Sequence, residues 1–186
     1  MDFYPVLYES HMHTTLCGHA FGDIHEYAEM AIARGLKGMI VTCHCPLPEG
    51  ISPNVRMRDD QWPEYVDMVA ECREAFQGRL DVRLGLESDF LPGLEDWLSE
   101  LHQREPLNHV LGSVHPQLME YKERYLDESD IPAFHRQYYT SLAEAAESGL
   151  FDTLSHPDLV KNQYSPDYDL EALLPHIRIC LDRIAA

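Results

Sequence analysis

Five short apolar runs in this chain each carry a histidine or a glutamate at or near the carboxyl end, and a stretch with helical spacing follows each one. The runs cover residues 5–11, 36–44, 80–90, 108–115 and 150–156. Their carboxyl ends carry His11 and His13, His44, Glu87, His115 and His156. The first helical stretch is 23–35, with Asp23 as cap and Gly35 as stop. The second is 62–78, with Pro63 in its first turn and Gly78 beyond its end. The others are 93–104, 131–149 and 168–186. In the last, Pro175 is expected to kink the helix or split it in two. A loop over 45–61 holds Pro46, Pro48 and Pro53 and shows no periodicity.

This repetition predicts an α/β fold with a parallel sheet. Parallel strands are covered on both faces, which suits a run such as Met39-Ile40-Val41. A doubly wound sheet and an α/β barrel both satisfy the pattern. Metal-binding residue types at all five strand ends favour a closed or nearly closed barrel, where those ends converge.

His11-x-His13 puts two imidazoles on the same side of a strand, so they can grip one ion. Glu87 offers two oxygens and can bridge two ions. Neutral imidazole with carboxylate suits zinc, iron or manganese. His19 lies in the first loop and joins the candidate set. His25, His102, His135 and His176 fall in predicted helices and His109 starts a strand, so these five are read as structural. The five cysteines make no disulfide framework and imply a reducing compartment; Cys43 and Cys45 are read as small strand-end residues.

The formal net charge of -18 repels phosphate backbones and anionic lipids, so neither nucleic acid nor a membrane is expected as a partner. No apolar run approaches the roughly 20 residues of a membrane span. The first ten residues, MDFYPVLYES, lack a basic region and a cleavage pattern, so a cytoplasmic location is expected. A small phosphate ester stays compatible with this acidity if bound divalent cations neutralise it.

With these residues assembled, the chain resembles the PHP family (polymerase and histidinol phosphatase), and within it the histidinol-phosphate phosphatases. The resemblance runs from His11 to about Lys161. It rests on HMHT from His11, CGH ending at His19, VTCHCPLP around His44, GLESDF around Glu87, GSVH ending at His115 and SHPDLVK from Ser155. RMRDDQWPEYV, ahead of the third strand, also resembles the histidinol-phosphatase branch.

The resemblance implies a distorted (β/α)7 barrel with two or three divalent ions (zinc, iron or manganese) at the strand ends. It implies that His11 and His13 hold a first metal, that Glu87 bridges it to a second completed by His115 and His156, and that His19 and His44 hold a third. Glu87, His115 and His156 are then the catalytic candidates, around a hydroxide that bridges the metals and attacks a phosphate monoester. The family also carries a late Asp-x-His, and none follows here before Ala186. The expectation is a single PHP domain over 1–186, shortened after about five strand–helix units, from a longer parent. The exposed sheet edge is expected to leave it weakly stable or to let it associate into an oligomer.

Arg56 and Arg58 in the long loop, and Lys161 after the fifth strand, are candidate clamps for substrate phosphate; Asp59, Asp60 and Asp89 are candidates for an amine or imidazole on the substrate. Competing readings are a PHP phosphoesterase for a nucleotide or sugar phosphate, an amidohydrolase-type C–N hydrolase, and an inactive metal-binding fragment. The second wants a lysine at mid-barrel, where neither Lys37 nor Lys122 is placed.

Overall fold

The computed structural model describes residues 7–48 and 50–186. The start of the first predicted strand, residues 5–6, lies outside them. Five strands and six α-helices follow in the order β1 (Tyr8–Glu9), α1 (Ile24–Ala33), β2 (Gly38–Val41), α2 (Trp62–Ala75), β3 (Asp81–Asp89), α3 (Glu95–His102), β4 (His109–Ser113), α4 (Met119–Tyr125), α5 (Ile131–Glu147), β5 (Thr153–Leu154) and α6 (Leu170–Ile184). The chain forms two compact units, one of residues 1–87 with 101–110 and one of 88–100 with 111–186.

In the first unit β1, β2 and β3 pair in parallel, with Tyr8 opposite Gly38 and Met39 opposite Val82. Gly38 has to be glycine: a Cβ there would lie 2.4 Å from the Asp81 carbonyl oxygen and closer still to the Tyr8 ring. Asp23 caps α1 in a box with Glu26, and Ile24, Ala28 and Ala31 supply its buried stripe. Along α2, Trp62, Tyr65, Val69 and Cys72 are buried at spacings of three or four, while Pro63 sits in the first turn, where no backbone donor is lost.

Tyr65 links this helix to the strand ends. Its hydroxyl lies 2.8 Å from the Val41 carbonyl and 2.9 Å from that of Gly85, and it accepts the Cys43 N–H at 3.3 Å. Beyond β2 the parallel ladder continues: Glu87 N–H donates to the Cys43 carbonyl at 3.0 Å and Cys45 N–H to the Glu87 carbonyl at 2.8 Å. His44 is thereby the register partner of Glu87. Past β1, Thr42 N–H donates to the Met12 carbonyl at 3.0 Å, so the segment with His11 and His13 runs beside the end of β2 although it is not regular strand.

The second unit pairs β4 with β5 in parallel, Leu111 opposite Thr153. Phe134, Tyr138, Leu142 and Ala145 line the buried side of α5, and Leu173 and Cys180 that of α6. Arg183 of α6 donates from Nε and Nη2 to the two carboxylate oxygens of Glu147 of α5, each at 2.7 Å. Pro175 neither ends nor divides α6, which runs unbroken from Leu170 to Ile184. No described helix is long and apolar enough to cross a membrane.

Tyr65→Phe removes one hydroxyl and leaves the buried Cys43 N–H and two carbonyls short of a partner. Urea unfolding should show a loss of about 1–3 kcal/mol, with folding otherwise intact. An unchanged midpoint would mean that this hydroxyl does not hold the strand ends.

Candidate metal centre

The first unit gathers imidazoles around one carboxylate. Glu87 is 1% exposed, a position where an uncompensated charge is costly. Its Oε2 lies 3.3 Å from His11 Nε2, 3.4 Å from His13 Nε2 and 3.2 Å from His44 Nδ1. Each arrives for a local reason. His44 is the strand neighbour of Glu87, and His11 and His13 are two residues apart in the extended segment hydrogen-bonded to Thr42.

These distances test whether a metal fits. A charge-assisted hydrogen bond to a carboxylate is about 2.7–2.9 Å long. Two ligands of one tetrahedral zinc ion, at roughly 2.0–2.1 Å each, stand about 3.4 Å apart. All three separations match the second figure better than the first. His13 Nδ1 is moreover buried without a hydrogen-bond partner. The donor set is therefore suited to a divalent cation.

His19 belongs to the same cluster. Its ring centroid is 5.1 Å from that of His44 and 5.5 Å from that of His13, and the His13 and His44 rings stack at 4.5 Å. His19 Nδ1 sits 3.1 Å from the Cys17 carbonyl, which fixes the ring. Gly18, with φ of 78°, makes the turn that folds His19 back over Cys17. Next to it, the buried Cys17 and Cys43 thiols share the Thr14 carbonyl.

In the second unit Asp89, two residues past Glu87 on β3, is buried and binds His115 Nδ1 through its carboxylate. A carboxylate on one ring nitrogen fixes the tautomer and directs the other nitrogen outward as a ligand. The His115 and His156 rings lie 5.0 Å apart. His156 holds a φ of 25°, uncommon for a residue with a side chain. Tyr138 donates its hydroxyl to the His156 carbonyl at 2.9 Å, and Ser155 Oγ lies 3.0 Å from His156 Nε2. A backbone held in a sparsely populated conformation by such contacts is typical of functional positions.

The loop and C-terminal cations are placed differently. Arg56 is buried and donates to the carbonyls of Ser52 and Cys45, so it braces the long loop. Arg58 pairs with Asp60 at 2.9 Å, Asp59 with Arg104 at 2.5 Å and Lys161 with Asp158, all at the surface. The sequence offers Asp89 as a candidate contact for substrate and assigns Cys17 no role. The alternation Glu87-x-Asp89, which places both carboxylates on one side of a strand, was the available signal for the first.

Residues 9–184 match the PHP domain. This chain belongs to the PHP family. A Deinococcus radiodurans protein named "Probable histidinol-phosphatase" is 41% identical over 181 residues, covering 90% of this chain and 68% of that protein. The crystal structure of the Listeria monocytogenes protein hisK matches with a TM-score of 0.78 at 18% identity, over 96% of this chain and 78% of that one. Histidinol phosphate phosphatase from Lactococcus lactis, solved with zinc, L-histidinol and phosphate, matches with a TM-score of 0.75 at 18% identity, over 95% of this chain and 67% of that one. The chain thus has the PHP-type α/β fold and is of the histidinol-phosphatase-like PHP type.

Zinc binding to the Glu87 cluster should stabilise the fold by mass action. At about 100-fold excess over Kd the gain is roughly 2.7 kcal/mol, or about 5–10 °C in Tm for a chain of this size. Differential scanning fluorimetry should show that shift, its reversal by chelator, and its loss in Glu87→Gln. A Tm indifferent to zinc and chelator would remove the cluster as a metal centre.

Proposed function

We propose that this PHP chain supplies the metal-binding framework of a divalent-metal-dependent phosphomonoesterase whose substrate is histidinol phosphate. The observation that carries the proposal is the buried Glu87 carboxylate with three imidazole nitrogens at ligand-like separations. Kinship supports the substrate. The Lactococcus relative was solved with L-histidinol and phosphate, the alcohol and the anion into which histidinol phosphate would be cleaved.

His11, His13, His44 and Glu87 hold cation in the first unit, with His19 as a further ligand. In the second, His115 is a ligand aimed by Asp89, and His156 is held by Tyr138 and Ser155. Zinc, iron or manganese held there would neutralise charge on the phosphoryl oxygens and lower the pKa of a water toward neutral pH. The protein's own part is to keep these imidazoles oriented and to hold the carboxylates away from bulk water. None of the five described cysteines is in a disulfide, which supports a reducing, cytoplasmic setting.

Phosphate release measured on the zinc- or manganese-loaded protein tests this. The expected result is a kcat/KM for histidinol phosphate at least tenfold above that for a generic aryl phosphate. Glu87→Gln should reduce kcat by about 10³-fold or more, in line with removal of a principal electrostatic group. Equal turnover of unrelated phosphate esters would remove the substrate assignment. Full metal loading without any phosphate release would instead favour a metal-binding module.

A further inference from the structure

Cys17 stands between two histidines of the cluster, wholly buried, at the end of the helical turn Thr15–Cys17. Its Sγ lies 3.8 Å from His19 Nε2. His19 Nδ1–H donates to the Cys17 carbonyl at 3.1 Å in the tautomer this contact selects, and Nε2 then keeps its lone pair on the side of the sulfur. A ring nitrogen of His13 completes the set, and the three donor atoms lie within 4.8 Å of one another. For a tetrahedral zinc ion with Zn–S about 2.3 Å and Zn–N about 2.0–2.1 Å, sulfur and nitrogen stand about 3.6 Å apart. The sulfur–nitrogen edge is thus already near its ligand value.

We propose that Cys17 is a direct metal ligand, forming with His13 and His19 a site that contains a thiolate. The proposal rests on the reading of this cluster as a metal centre and adds to it the one soft donor. The Cys17 thiol also donates to the Thr14 carbonyl at 3.1 Å. On binding, the S–H bond breaks, sulfur donates its electron pair to the cation, and the proton leaves to solvent; no oxidant or reductant is involved. A thiolate favours zinc or cobalt and discriminates against manganese, which prefers oxygen donors. The site is therefore selective for thiophilic ions, whereas the Glu87 cluster of imidazoles and carboxylate accepts manganese as well.

Cobalt(II) is the probe, because a cysteine thiolate on cobalt gives a strong near-ultraviolet charge-transfer band that imidazole and carboxylate do not. Titration of the metal-free protein should develop that band, and zinc X-ray absorption should show a sulfur neighbour at about 2.3 Å. Cys17→Ser should abolish the band and weaken zinc binding about tenfold or more while leaving manganese binding unchanged; Cys43→Ala and Cys72→Ala should retain the band. Cobalt bound without the band, or a band that survives in Cys17→Ser, overturns the proposal and leaves the metal centre standing. A protein that binds no cobalt at all overturns both together.

Discussion

A carboxylate buried at 1% exposure, with three imidazole nitrogens facing a single oxygen, is the constraint around which the first unit is arranged. An ion removed from water costs several kcal/mol unless opposite charge and hydrogen bonds surround it. Neutral imidazoles provide lone pairs and N–H groups but no counter-charge. A divalent cation would compensate the acid and use those lone pairs in one step. Much of the surrounding structure keeps that cluster in register: the ladder that sets His44 opposite Glu87, the Tyr65 hydroxyl at the ends of β2 and β3, and the Thr42 contacts that carry the segment of His11 and His13.

Two carboxylates two residues apart on β3 do different work. Glu87 is a focal carboxylate faced by three imidazoles. Asp89 is engaged with one imidazole, His115, and sets its tautomer and direction. The difference is environmental and not chemical: both side chains are acids in a dry setting, and what each touches decides its role.

The elements most legible in the sequence were those with strong local signals. The capped, stop-terminated pattern of 23–35 became α1, the proline-started pattern of 62–78 became α2, and the apolar run at 80–90 became β3, the longest strand. The described part of the first strand and the whole of the fifth are short, only Tyr8–Glu9 and Thr153–Leu154, because the chain leaves regular pairing as it approaches the site. The helix α4 escaped notice: seven residues, MEYKERY, carry too little periodicity to register. Pro175 does not split α6: its ring fits helical φ, and the packing of α6 on α5 carries the helix past one missing backbone bond.

From the residues alone came the order of the five strands and of five of the six described α-helices, the family, and a candidate set made of the strand-end histidines and Glu87. Each of those follows from patterns a few residues long. The tertiary structure decided which imidazoles meet which acid: that His11, His13 and His44 share Glu87, that Asp89 takes His115, and that Cys17 faces His19. Those pairings depend on strand register and on a glycine turn, and except for Cys17 and His19 they join residues tens of positions apart. Spacing along a chain cannot express a distance that exists only after the strands have been laid side by side.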